Sequence, residues 1–106
     1  MSDLPIHFQS LSSVCRQLKS GALSSVELTC SMLARCERLD AELHSYARMM
    51  ADTAIAEAEA CDKARLQGEP LGALHGVPVA IKDLLFTKDA VTASGTLGYA
   101  ELSIRH

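Results

Sequence analysis

At 106 residues, 48% hydrophobic and 22% charged, the chain has the composition of a soluble globular domain and not of a disordered one. A net charge of −3, from 10 basic and 13 acidic residues, with no basic run and no aromatic-interleaved patch, argues against a nucleic-acid surface. The N-terminus "MSDLPIHFQS" shows neither a charged n-region nor a continuous apolar h-region, and no stretch approaches the roughly 18 apolar residues of a membrane span, so the expected setting is cytoplasmic, with no membrane partner.

Helices dominate residues 1–68. Leu11, Val14, Cys15 and Leu18 repeat at i, i+3, i+4 and i+7, one face of a helix that Gly21 should stop. A second helix opens at "SSVE", where Ser24 and Glu27 have the spacing of a capping box. Its expected buried stripe is Leu28, Met32, Cys36, Leu39 and Leu43, with Arg35, Glu37 and Arg38 on a solvated face. The third helix is expected over 46–67, with Ala47, Ala51, Ala54, Ala58 and Cys61 as a narrow stripe for close packing and Gly68 as its end. Cys15, Cys30, Cys36 and Cys61 all fall inside these patterns. None forms C-x-x-C or has a histidine at metal spacing, so they read as small apolar residues in a reducing compartment, and no metal is expected. His7, His44 and His106 form no constellation.

From residue 69 the character changes. "GEPLGALHG" is a glycine- and proline-punctuated loop, and "VPVAI" at 77–81 is a short β-branched run with the pattern of a strand. Val77, Val79 and Ile81 would face one side; Pro78, Ala80 and Lys82 would face the other. The pattern for a second strand, over 87–92, is weak, and "DAVTASGTLGYA" suits a loop near a site. A stable sheet needs about three strands, so one good strand and one weak one mark the beginning of an α/β domain, incomplete within this chain. An unpaired strand at 77–81 would also promote self-association.

Within this region "LHGVPVAIKDLLF" carries an ammonium group, Lys82, at the end of an otherwise apolar run. The pattern of small residues, then H-G-V-P-V-A-I-K-D, then a Thr/Ser/Gly-rich loop resembles the amidase signature family. The upstream stretches "GALSSVELTCSMLARCERLD" and "ACDKARLQG" agree with that family's N-terminal helices, so the resemblance covers nearly all of residues 8–100. It implies an α/β/α sandwich with a mixed sheet. This chain would contribute its N-terminal helices (1–68), followed by a loop, the lysine-bearing strand and the Thr/Ser/Gly loop (69–106).

The resemblance also implies a Ser–Ser–Lys hydrolase of a small-molecule amide with no cofactor. Lys82 matches the catalytic lysine, the base that activates a nucleophilic serine through a bridging serine. The chemistry is coherent on physical grounds. A solvated lysine, with a pKa near 10.4, is protonated at neutral pH, and burial disfavours its charged form. Ser94, Gly95 and Thr96, with Thr92, match the family's Thr/Gly/Ser loop only approximately and are expected at most to line the site. The family's two serines lie in a G-G-S-S-G-G type segment beyond the lysine. No such segment occurs here, since "LSSV" at 11–14 and "LSSVE" at 23–27 are helix-start serines without glycine flanks. The nucleophile and bridging serine are therefore not in this chain, which on its own should be inactive.

Asp83 reads as a turn or surface residue, and His75 as a loop residue shaping the approach to the strand. Two other functions fit parts of the pattern. One is the amidotransferase component that amidates misacylated tRNA, although there K-D is often followed by Asn, whereas here Leu84 follows. The other is a non-catalytic helical interaction module, or a decayed gene product.

Overall fold

The computed structural model describes residues 4–46 and 49–81. A short 3-10 turn, Ile6–Phe8, leads into helix α1, Leu11–Ser20. Ser10 caps α1, its hydroxyl accepting from the Ser13 N–H at 3.1 Å. Gly21 ends α1 in the left-handed region at φ 82°, where a Cβ would be strained. The open space there is also used: a Cβ on Gly21 would lie 3.0 Å from the Arg65 guanidinium. That guanidinium therefore rests at the negative end of α1, where the exposed carbonyls favour a cation.

Helix α2, Ser25–Leu43, begins with the expected capping box. The Ser24 hydroxyl accepts from the Glu27 N–H at 3.0 Å, and the Glu27 carboxylate accepts from the Ser24 N–H at 3.1 Å. The stripe on α2 holds at its N-terminal half and fails at its end. Leu28 is 2% exposed, and Met32, Cys36 and Leu39 are half-buried, but Leu43 is exposed. The buried set also includes two polar residues, Ser25 and Thr29, that apolar periodicity does not mark. Leu11 on α1 is likewise exposed, and Cys30 on α2 is exposed, so neither is a core position.

Helix α3 runs Ala51–Leu66, shorter at its start than the expected 46–67. The reason is the end of α2. His44 adopts the left-handed conformation at φ 50° as the C-cap, and the Asp40 carboxylate accepts from the N–H groups of Ser45 and Tyr46. This pulls residues 44–46 into a cap. Hydrogen bonding to Cys36 raises the Tyr46 phenol above its ordinary value, with the Asp40 charge adding to it. A non-glycine residue in the left-handed region carries a steric cost, so His44→Gly is expected to stabilise the fold by about 0.5–1 kcal/mol. The check is an upward shift of the urea midpoint with unchanged m-value; an unchanged or lower midpoint contradicts it.

α2 and α3 pack against each other, with Ala58 buried on α3 and Ala51, Ala54 and Cys61 half-buried along the expected alanine side. Ala47, the first member of that expected stripe, lies outside the described residues. A small core of Val14, Leu18 and Leu28 joins α1 to α2, covered by Ile6, Leu23, Met32 and Val77. Burying a side chain such as Leu28 contributes about 1.5–3 kcal/mol.

No strand occurs among the described residues. The expected strand at 77–81 has no ladder partner there, and Val79, Ala80 and Ile81 are exposed, Val79 at 68%. The β-branched pattern alone does not make a strand; the backbone groups need a neighbour to pair with. The expected second strand at 87–92 lies outside the described residues.

Candidate functional site

The segment that leads to Lys82 is seated on the helices through one compact set of hydrogen bonds. Residues 72–77 turn tightly: the His75 N–H donates to the Gly72 carbonyl at 3.2 Å, and the Val77 N–H to the Leu74 carbonyl at 3.1 Å. His75 Nε2 lies 2.8 Å from the carbonyl of Cys61 on α3. A carbonyl oxygen only accepts, so this bond requires the tautomer with hydrogen on Nε2. The next residue, Gly76, offers its carbonyl to the hydroxyl of Ser25, which donates at 2.7 Å from the first turn of α2. The H-G pair is thus bonded to two different helices.

Gly76 is required by this seating. Its φ is 80°, and a Cβ would come 3.2 Å from the Ser25 Cβ and 3.3 Å from its hydroxyl oxygen. The backbone conformation would strain any side chain there, and the close approach would force Ser25 to give way. Val77 follows directly and packs on the Val14–Leu18–Leu28 core. The tether therefore combines polar and apolar contacts over three consecutive residues.

Behind the tether stands Asp62. Its carboxylate accepts from the Ser25 N–H at 2.7 Å and from the Val26 N–H at 3.0 Å. A helix start leaves its first N–H groups without intrahelical partners. At α2 the side chains of Asp62 and Ser24 and the loop carbonyl on Ser25 together leave the first turn fully bonded. A carboxylate is the strongest neutral-pH acceptor available and also complements the positive end of the helix. Ser25, 3% exposed, sits between Asp62 and Gly76 and joins the two.

Sequence reading identified Ser24 and Glu27 because their partners are three residues apart. It missed Asp62 and Ser25, whose bonds span 37 and 51 residues. His75, expected as a loop residue shaping the approach to a strand, lies in the loop and bonds to the Cys61 carbonyl on α3, while no strand follows it among the described residues. Lys82, Ser94, Gly95 and Thr96 lie outside the described residues, as does Asp83. Elsewhere, His7, Arg35 and Arg38 line a hollow of about 340 Å³ between the 3-10 turn and α2. Arg35 is half-buried there, not on a fully solvated face. Among the described residues, no helix is long and apolar enough to cross a membrane.

The class this geometry defines is a three-helix platform that holds a glycine-centred loop by its backbone. The sequence model of the Amidase family matches residues 27–102, a stretch that includes α2 from Glu27 onward, α3, the tethered loop and Lys82. The chain belongs to the amidase family. It is 48% identical to the putative amidase AmiD of Mycobacterium tuberculosis over 86 residues, covering 81% of this chain and 18% of AmiD. It is 46% identical over 81 residues to a glutamyl-tRNA(Gln) amidotransferase subunit of Synechococcus sp., covering 76% of this chain and 17% of that protein. With the corresponding subunit of Pseudomonas fluorescens it shares 40% identity over 91 residues, 86% of this chain and 19% of the relative. The chain thus spans less than one fifth of the length of these curated relatives.

Proposed function

We propose that this chain supplies the lysine-bearing part of an amide C–N hydrolase built on an α/β sandwich, with Lys82 as the general base. The observation that supports this reading is that the family match, residues 27–102, spans "HGVPVAIKD", the segment that carries Lys82. In this mechanism the neutral Lys82 amine takes a proton from a bridging serine, which takes one from the nucleophilic serine as that oxygen attacks the amide carbon. The tetrahedral adduct collapses with cleavage of the C–N bond, and the leaving nitrogen departs with a proton. Water then hydrolyses the acyl-serine ester to the acid, restoring the free serine. Both serines come from outside these 106 residues, which contain no G-G-S-S-G-G type segment.

The 106-residue chain alone is expected to release no ammonia from a panel of primary amides. The function itself is tested by a graft. In a host amidase of the family, selected for ammonia release from a primary amide, this chain replaces the matching stretch. The expected result is a folded graft that retains turnover within about tenfold of its host; a folded, inactive graft contradicts the proposal. Turnover by the chain alone that disappears in Lys82→Ala would overturn the assignment of the serines to another segment.

A second reading is favoured by the amidotransferase relatives, whose name assigns them to glutamyl-tRNA(Gln). Placed in an enzyme of that kind, the same Lys82 chemistry would release ammonia from an amide for transfer instead of hydrolysing a free substrate. Activity of the graft only in the amidotransferase host, and not in the amidase host, would select this reading.

A further inference from the structure

We propose that His75 and Ser25 are positioning residues for Lys82, acting through the backbone they hold and not by touching substrate. This inference rests on the reading of Lys82 as the base.

Three observations carry it. First, the tether is short in sequence: Gly76, whose carbonyl accepts from Ser25, lies six positions before Lys82, and His75 lies seven before it. Second, the two bonds leave from different helices, α3 through the Cys61 carbonyl and α2 through the Ser25 hydroxyl, so they fix the loop against rotation about either contact. Third, beyond Pro78 the described residues 79–81 are exposed and carry no ladder. The last fixed points before Lys82 on the helical platform are therefore His75, Gly76 and the packed Val77. The side chains are also better suited to holding than to chemistry. His75 spends Nε2 on a backbone carbonyl, and Ser25 is buried and spends its hydroxyl on another.

A base displaced by about 1 Å from its proton donor can lose about a hundredfold in rate without any change in how substrate binds. The experiment uses the active graft with His75→Ala, His75→Gln, Ser25→Ala and Ser25→Thr, together with Lys82→Ala as reference, assayed well below the melting temperature of each variant. His75→Ala and Ser25→Ala are expected to lower kcat by about ten- to a hundredfold with KM within about twofold. Gln at 75 offers an N–H near the position of Nε2, and Thr at 25 keeps the hydroxyl. Each should restore most of kcat.

A purely structural role would lower the melting temperature and leave kcat unchanged. That result, or failure of both conservative variants to recover activity in a folded protein, overturns the inference. If Lys82→Ala abolishes turnover while the alanine variants at 75 and 25 do not alter kcat, only the positioning role fails. If Lys82→Ala retains full turnover, the reading of the base fails and this inference with it. A folded but inactive graft overturns both.

Discussion

In the active graft, Lys82→Ala is expected to lower kcat for amide hydrolysis by about 10²–10⁴-fold, the usual contribution of a positioned general base. The reasoning starts from the amine. Free in water it is protonated at neutral pH, so only a small fraction could accept a proton from serine. A site that disfavours the ammonium makes the neutral form available, and deleting the amine removes the acceptor altogether. Lys82→Arg discriminates between a base and a charge. The guanidinium keeps the positive charge and the donors but is not deprotonated in proteins. If Lys82 acts as a base, arginine should be nearly as inactive as alanine, with the loss carried by kcat. If its role is only to attract or orient an anionic group, arginine should recover much of the activity. Wild-type turnover by Lys82→Arg would remove Lys82 from the position of general base.

The residues that could be read from the sequence and those that could not differ by the range of their interactions. The capping box at Ser24 and Glu27 was legible because both partners lie within one helical turn, and both of its bonds form. Gly21 was legible as a helix end for the same local reason. The start of α3 was not, because the alanine, arginine and methionines over 47–50 favour helix by propensity, while the cap formed by Asp40 and His44 takes the chain out of helix just before them. The period-2 pattern at 77–81 describes which way side chains would alternate in a strand, but it does not supply the partner strand, and among the described residues none is present. At the tether the glycine and the histidine were legible, but their partners were not. Nothing local to Asp62 distinguishes it from the other acidic residues of α3, Asp52, Glu57 and Glu59, which are exposed. Only the packing of α3 against α2 brings Asp62 to the start of another helix.

Asp62 is accordingly the residue whose removal should cost the helical platform most for the fewest atoms. Asp62→Ala leaves the N–H groups of Ser25 and Val26 without their acceptor in a partly buried place. Hydrogen bonds to a charged group contribute about 1.5–3 kcal/mol each, and loss of an ordinary helix cap costs about 0.5–2 kcal/mol. Two bonds to one carboxylate are not independent, and the group is half-exposed, so the expected loss is about 2–3 kcal/mol. In a chain of this size that corresponds to a fall in melting temperature of roughly 10–20 °C. Asp62→Asn retains one acceptor oxygen but turns an N–H₂ toward the second backbone N–H, so it should recover only part of the loss. Amide exchange locates the effect: Ser25 and Val26 should lose protection in Asp62→Ala while Glu27, bonded to Ser24, keeps more of its own. The loss should also reach the loop, because the Ser25 hydroxyl that holds Gly76 is carried on the backbone that Asp62 fixes. A variant that melts within about 0.5 kcal/mol of the parent, with Ser25 and Val26 still protected, would show that water replaces the carboxylate at little cost. The tether would then stand on Ser25 and His75 without Asp62 behind it.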